Sequence, residues 1–322
     1  MGRIARHSAA ATGLALLSDH QLARLLDAAP VVAVGIGGTA VRLDVAGVPV
    51  FAKRVPLTDL ERRPENVRST ANVFDLPTFC HYGLGSAGGG VWRELAAHVM
   101  TTGWVLSGEC AHFPLLYHWR ELPMPRRTPD LEERERSVEF WHGSPAVRRR
   151  LELLDDATSS VVLFLEYLPT TVHEWLRSHL TDAAWIETQL LAVTDFLAAQ
   201  GLLHFDAHFG NILTDGKQIY LADFGLALST RFDLTPAERA FATRNAAHDR
   251  GYVVTQLVNW LVTELAGTVT RAERVAYVRR GEFSLPEPAS SIVKRHARTA
   301  MVMNEFYDQL MGESRETPFP AR

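Results

Sequence analysis

Cysteine is nearly absent. The 322-residue chain has two, Cys80 and Cys110, too few for a disulfide framework or a cysteine-built metal cluster. Long apolar runs are missing as well. The strongest stretch, Tyr252 to Ala266, is broken by Gln256, Asn259 and Glu264, so it reads as a buried helix rather than a membrane span. An excess of one charge is also lacking: a net charge of −4 gives no electrostatic case for nucleic acid or an anionic membrane as partner. No internal repeat is visible. Residues 9–17 are mildly apolar after Arg3 and Arg6, but His7 and Ser8 intervene and no cleavage signal follows, so a loose N-terminus is expected rather than a signal peptide. These absences point to a cytoplasmic protein that binds neither nucleic acid nor membrane.

What is present is material for a large core. Hydrophobic residues make up 47% of the chain, enough for two lobes. The chemistry concentrates in one segment, His204-Phe-Asp206-Ala-His208-Phe-Gly-Asn211-Ile-Leu213, a polar turn, then Ile219-Tyr-Leu-Ala-Asp223-Phe-Gly225. Asp215-Gly216 is a hairpin signal and Gln218 to Ala222 is strand-like, so the chain should fold back and bring Asp223 beside Asn211. An amide oxygen with a carboxylate suits Mg²⁺, which prefers oxygen ligands and keeps water and phosphate oxygens in its shell. Asp206 then stands free of the metal to accept a hydroxyl proton.

This segment resembles the protein-kinase-like superfamily. Its H-x-D followed by N, and its D-F-G, are matched by His204-x-Asp206, Asn211 and Asp223-Phe224-Gly225 in order. The resemblance implies an α+β, bilobal protein-kinase-like fold, with a small antiparallel β-sheet N-lobe and a helical C-lobe. It implies Asp206 as catalytic base, Asn211 and Asp223 as Mg²⁺ ligands, and ATP as the phosphate donor.

Three upstream features fit the same pattern. Val31 to Val34 runs into Gly35-Ile-Gly37-Gly38-Thr39-Ala40, a hairpin whose glycines would let backbone N–H groups approach phosphate; Ala40 stands where the family has a third glycine. Val50-Phe51-Ala52-Lys53 resembles V-A-I-K, which implies that Ala52 leaves room for adenine and that Lys53 reaches the α- and β-phosphates. The family pairs that lysine with a helix-borne glutamate. Glu94 is the choice because Trp92, Leu95, Ala96 and Val99 recur at helical spacing around it, with Glu61, Glu65 and Glu109 as alternatives. Val161 to Leu165, closed by Glu166-Tyr167-Leu168-Pro169, resembles the strand leading to the hinge. On that resemblance Leu165 is the gatekeeper, the Glu166 carbonyl and Leu168 N–H hold the adenine edge, and Leu213 packs beneath the ring. Asp249, before the Tyr252 helix, is expected either to brace the catalytic loop or to cap the helix.

The expected organisation is an extension over 1–29 with a short helix opened by the capping box Ser18-Asp-His-Gln21, an N-lobe over 30–168, a C-lobe over 169–311 and a disordered tail over 312–322. Two insertions are expected, near 56–90 with a mobile glycine-rich end and near 121–158 with charged, solvated helical faces.

Departures from the protein-kinase pattern bear on the acceptor. Phe205 replaces the arginine that receives an activation-loop phosphate in many protein kinases. His208 stands where those kinases place a lysine, and Asp206-Ala-His208-Phe-Gly-Asn211 is closer to the D-L-H-P-G-N of aminoglycoside-type small-molecule kinases. A histidine there can donate to a transferring phosphoryl group. No A-P-E follows Gly225. Against these departures, Asp223-Phe-Gly-Leu-Ala227 closely matches the protein-kinase metal loop, so the acceptor is expected to be Ser/Thr of a protein, with a small-molecule kinase and a non-catalytic nucleotide-binding pseudokinase as alternatives.

Overall fold

Alternating and continuous apolar runs build a sheet first. In the computed structural model, which describes residues 1–35, 38–281 and 283–320, β1 (Val31–Gly35), β2 (Gly38–Val45), β3 (Val48–Leu57), β4 (Leu116–Pro123) and β5 (Ser159–Glu166) form one antiparallel sheet in the order β1-β2-β3-β5-β4. The β2–β3 turn places Ala46 and Gly47 both at positive φ, 52° and 74°, as a tight hairpin of matching twist requires. β5 is buried along its whole length, as a strand covered on both faces must be.

Each face of the sheet has its own cover. On one, Val55, Leu57, Val161, Leu163 and Leu165 pack with Val91, Trp92 and Leu95 of α3 (Val91–Leu106), and Phe51 joins them. The other face meets α1 (Arg3–Ala15) and α2 (Asp19–Ala28). Gly13 of α1 comes so close that a Cβ there would lie 2.8 Å from Val45 Cγ1. The N-terminus is therefore not loose. The α2 capping box is as expected: Ser18 accepts from the Gln21 N–H and Gln21 accepts from the Ser18 N–H.

The remaining helices are α4 (Leu131–Phe140), α5 (Pro145–Asp155), α6 (Val172–Ser178), α7 (Ala183–Ala199), α8 (Pro236–Arg244), α9 (His248–Ala266), α10 (Arg271–Arg280) and α11 (Ala289–Gly312). A small antiparallel sheet joins 170–171, Ile212–Thr214 and Ile219–Leu221. The fold class is α+β. Among the described residues, no helix is long and apolar enough to cross a membrane.

The chain divides into two compact units. The first holds Met1–Leu168 and Asp223–Glu238, and the second Pro169–Ala222 and Arg239–Arg322. The extension and the segment after Ala222 thus belong with the large sheet, whereas the sequence suggested otherwise. Two further expectations change. Arg150 is not part of a solvated face: it is buried, 3.4 Å from Glu61, and its guanidinium lies over the Phe74 ring. The tail packs over residues 313–320, with Arg315 donating to the Leu310 and Met311 carbonyls and Phe319 against His248 and Phe306.

Candidate functional site

In the first unit, Lys53 projects from β3 toward α3. Its Nζ donates to Glu94 Oε1 at 2.8 Å and to Asp223 Oδ1 at 2.9 Å. Of the four candidate glutamates, Glu94 is therefore the lysine's partner. Glu61 does other work: its carboxylate accepts from the Val91 N–H at 2.8 Å and from Thr58, so it holds the start of α3. Burial alone would lower the Lys53 pKa, but the facing charges of Glu94 and Asp223 outweigh it and hold it above the usual lysine value. Burial pushes Glu94 upward and Lys53 opposes that shift.

Asp223 has a left-handed backbone, φ 62°, which aspartate tolerates better than most residues. Its Oδ1 also accepts from the Gly225 N–H at 3.2 Å, so the turn orients the carboxylate that meets Lys53.

The glycine-rich tip is formed by Gly35 pairing with Gly38. Gly38 has φ 127°, and a Cβ there would sit 1.9 Å from the Arg54 carbonyl oxygen, so no other residue fits without parting β2 from β3. Gly37 lies outside the described residues. Ala40 pairs directly with Lys53 across the strands.

Ala52 requires a correction. Side chains alternate along a strand, so Ala52 lies on the face opposite Lys53 and is buried there. Phe51, next along β3, also lies opposite Ala52, on the α3 side with Lys53. Leu165 lines that α3-side core as well. Glu166 ends β5 with its carboxylate bonded by Arg3 of α1 and by Arg6 at 3.4 Å, a role that no local pattern announced. Leu168 is half-buried at the end of the unit's first segment.

The expected mobility of the glycine-rich stretch before α3 also gives way. The Gly89 N–H donates to the Gly225 carbonyl at 3.3 Å, and a Cβ on Gly88 would meet that oxygen at 2.9 Å. Glycine serves here for close backbone approach, not for motion.

In the second unit, the loop from His204 to Asn211 is tied from several sides. Asp249, at the start of α9, accepts from the His204 N–H at 2.6 Å and the Phe205 N–H at 2.9 Å, so of the two roles open to it, bracing the loop or capping the helix, its carboxylate takes the first. Burial would raise its pKa, but His248 beside it and the hydrogen bonds bring it below the usual carboxylate value. His204 Nδ1 accepts from the Asp206 N–H, so its Nε2 carries the hydrogen and donates to the Ala222 carbonyl at 2.9 Å. Phe205 takes φ 65° while wholly buried against Phe241 and His248, a conformation costing roughly 1–3 kcal/mol that these contacts must sustain.

Asn211 Nδ2 donates to the Asp206 carbonyl at 3.0 Å and to Asp206 Oδ2 at 3.1 Å. That fixes the carboxamide so that its oxygen faces away from Asp206. The Ala222 N–H donates to the Asn211 carbonyl, one residue before Asp223 in the chain. His208 Nδ1 accepts from the Gly210 N–H at 3.0 Å, which leaves Nε2 as the donor, 3.9 Å from Asp206 Oδ2. A Cβ on Gly210 would lie 2.9 Å from His208 Cε1 and displace the ring. Leu213 is half-buried in the small sheet.

Asn211 in the second unit and Asp223 in the first each carry an oxygen of the hard kind that Mg²⁺ prefers. Among the described residues, no cluster of three histidine, cysteine or acidic side chains is placed to hold a metal. No protein-family model matches the chain, and no curated protein matches its sequence.

Proposed function

We propose that the protein is an ATP-dependent phosphotransferase of the protein-kinase-like type, moving the γ-phosphate of ATP to a hydroxyl, with Ser or Thr of a protein as acceptor. The observation that carries this reading is the Lys53 ammonium bonded to both Glu94 and Asp223. It joins three residues that the resemblance assigns to one task, from positions 41 and 170 apart in the chain. The Asp206–Asn211 pair and the Asp249 brace support it from the second unit.

In this reading each group has one role. Lys53, charged at any physiological pH, meets phosphate oxygens, while Glu94 keeps it from folding onto Asp223 alone. Asn211 and Asp223 would hold Mg²⁺, which would neutralise charge on the phosphates. Asp206, its carboxylate oriented by Asn211, takes the acceptor proton. Phosphoryl transfer through a loose transition state needs placement and charge more than covalent help. Phe205, buried where protein kinases carry an arginine, leaves no cation there for an activating phosphate.

A small-molecule acceptor is the second reading, favoured by His208. Its Nε2 donor is held near Asp206 by a glycine that must follow at Gly210, which gives the D-x-H-x-G-N pattern of small-molecule kinases a physical reason.

The test is incubation of the purified chain with γ-labelled ATP and Mg²⁺, alone, with cell-lysate protein and with a small-metabolite pool. Label in protein supports the first reading, and label only in metabolites the second. Lys53→Met and Asp206→Ala should each lower transfer by about a hundredfold or more while the fold persists. ATP-induced stabilisation without transfer, or wild-type rates in both folded variants, would defeat the catalytic assignment.

A further inference from the structure

Residues 58–90 lie between β3 and α3, and the phosphotransferase reading gives them no task. They nevertheless meet the Asp223 segment at several points. His81 is buried, and its Nδ1 meets the Leu226 carbonyl at 2.9 Å. Gly89 donates to the Gly225 carbonyl, and Gly88 packs its Cα side against the same oxygen. Thr70 Oγ1 accepts from the Asp233 N–H at 2.9 Å. The Thr70 carbonyl accepts from Arg93 Nε at 2.8 Å, and Arg93 Nη1 reaches Glu238 at 2.7 Å, with both of those charged groups buried. At its other end the same stretch seats α3, because Glu61 accepts from the Val91 N–H and its carbonyl from Trp92 Nε1.

We infer that residues 58–90, together with Arg93, form a built-in positioning clamp that holds the Asp223–Glu238 segment and α3 in the arrangement where Lys53 meets both Glu94 and Asp223. The inference rests on the phosphotransferase reading and extends it to regulation. Two independent attachments lie within three residues of Asp223, at Gly225 and Leu226. A third, Arg93–Glu238, starts from the residue next to Glu94. The anion that meets Arg93 is a glutamate of the chain itself and is out of solvent, so no added phosphate is needed to supply it. His81, Thr70 and Arg93 are positioning residues, since they act on the backbone around Asp223 and on α3.

His81 gives the cleanest test. Leucine fills the space and removes the donor to Leu226, whereas the Nδ2 of asparagine can take the place of Nδ1. Full-length wild type, His81→Leu and His81→Asn are compared in labelled-ATP turnover and in amide exchange at Gly225 and Ala227, whose N–H groups bond Asp223 Oδ1 and the Phe224 carbonyl. In His81→Leu, kcat should fall about tenfold to a hundredfold with KM for ATP within about threefold, as misplacement of a reacting group predicts. Both amides should exchange faster. His81→Asn should recover most of both, and phosphatase treatment of wild type should leave turnover unchanged. If His81→Leu does not fold, Thr70→Val, which removes only the acceptor for Asp233, takes its place with the same expectations. Faster exchange with unchanged kcat, unchanged exchange, or loss of turnover on phosphatase treatment overturns the clamp while the phosphotransferase reading stands. Absence of transfer by wild type ends both.

Discussion

At the scale of single residues, the chain carries charges in places where each must have its partners. Lys53 and Asp249 are the two ends of this logic: a half-buried cation met by two carboxylates, and a buried carboxylate that receives two backbone N–H groups. Asp249→Asn tests the second. The amide keeps the shape and one acceptor oxygen, but its NH₂ faces an N–H, so one buried donor on the strained His204–Phe205 turn loses its partner. We expect a loss of roughly 2–3 kcal/mol in denaturant unfolding, from the desolvation of an unsatisfied group. Transfer should fall with it as Asp206 moves. Unchanged stability would mean that Asp249 merely caps α9. Much of this scale was legible in the sequence, because acid, amide and histidine at fixed short spacing dictate a loop, and apolar spacing around Glu94 dictates a helix. The misplaced Ala52 shows the limit. It was matched by its adjacency to Lys53, but adjacency in a strand means the opposite face.

Elements are positioned by partners far away in the chain, and this is where the sequence was least legible. The capping box of α2 could be read because its two halves lie three residues apart. The helix before it could not, because what anchors α1 is Glu166, 163 residues on, and neither residue has a local pattern that names the other. The Arg3 guanidinium bonds Glu166 through two nitrogens and also reaches the Ala111 and Phe113 carbonyls. Arg3→Ala should therefore leave Glu166 with only the longer contacts to Arg6 and the Leu115 N–H and cost about 3 kcal/mol, the usual penalty for breaking a buried pair from one side. Amides of α1 should lose exchange protection before those of β3 and β5. Arg3→Lys should recover only part of the loss, since an ammonium has no planar fork to span a carboxylate and two carbonyls. Full protection of α1 in Arg3→Ala would show that apolar contacts of Ala10 and Leu14 suffice.

For the whole molecule, the grouping of Asp223–Glu238 with the large sheet is what gives a single buried histidine its reach. Its signal in the sequence was weak: His81 and the glycines before α3 look like any loop, and only the close approach to Gly225 explains them. The same histidine links this unit to pH. Burial is the main cause that pushes the His81 pKa down to about 4 from 6.5, with nearby Arg93 in the same direction and the Leu226 bond and Glu238 against it. The unfolded chain therefore binds this proton first as pH falls. His81's contribution is fully present above about pH 6.5 and is lost progressively as the pH drops toward 4. A shift of that size corresponds to roughly 3 kcal/mol across the window. His81→Asn keeps a donor for Leu226 but has nothing to titrate, so the stability difference between wild type and variant should change by about that amount between pH 6.5 and pH 4. Urea unfolding of both proteins at matched pH reads it directly, and carboxylates common to the two cancel in the difference. A difference that stays flat over this range would mean that His81 is protonated in the folded chain, and therefore that the space around the Leu226 carbonyl admits water.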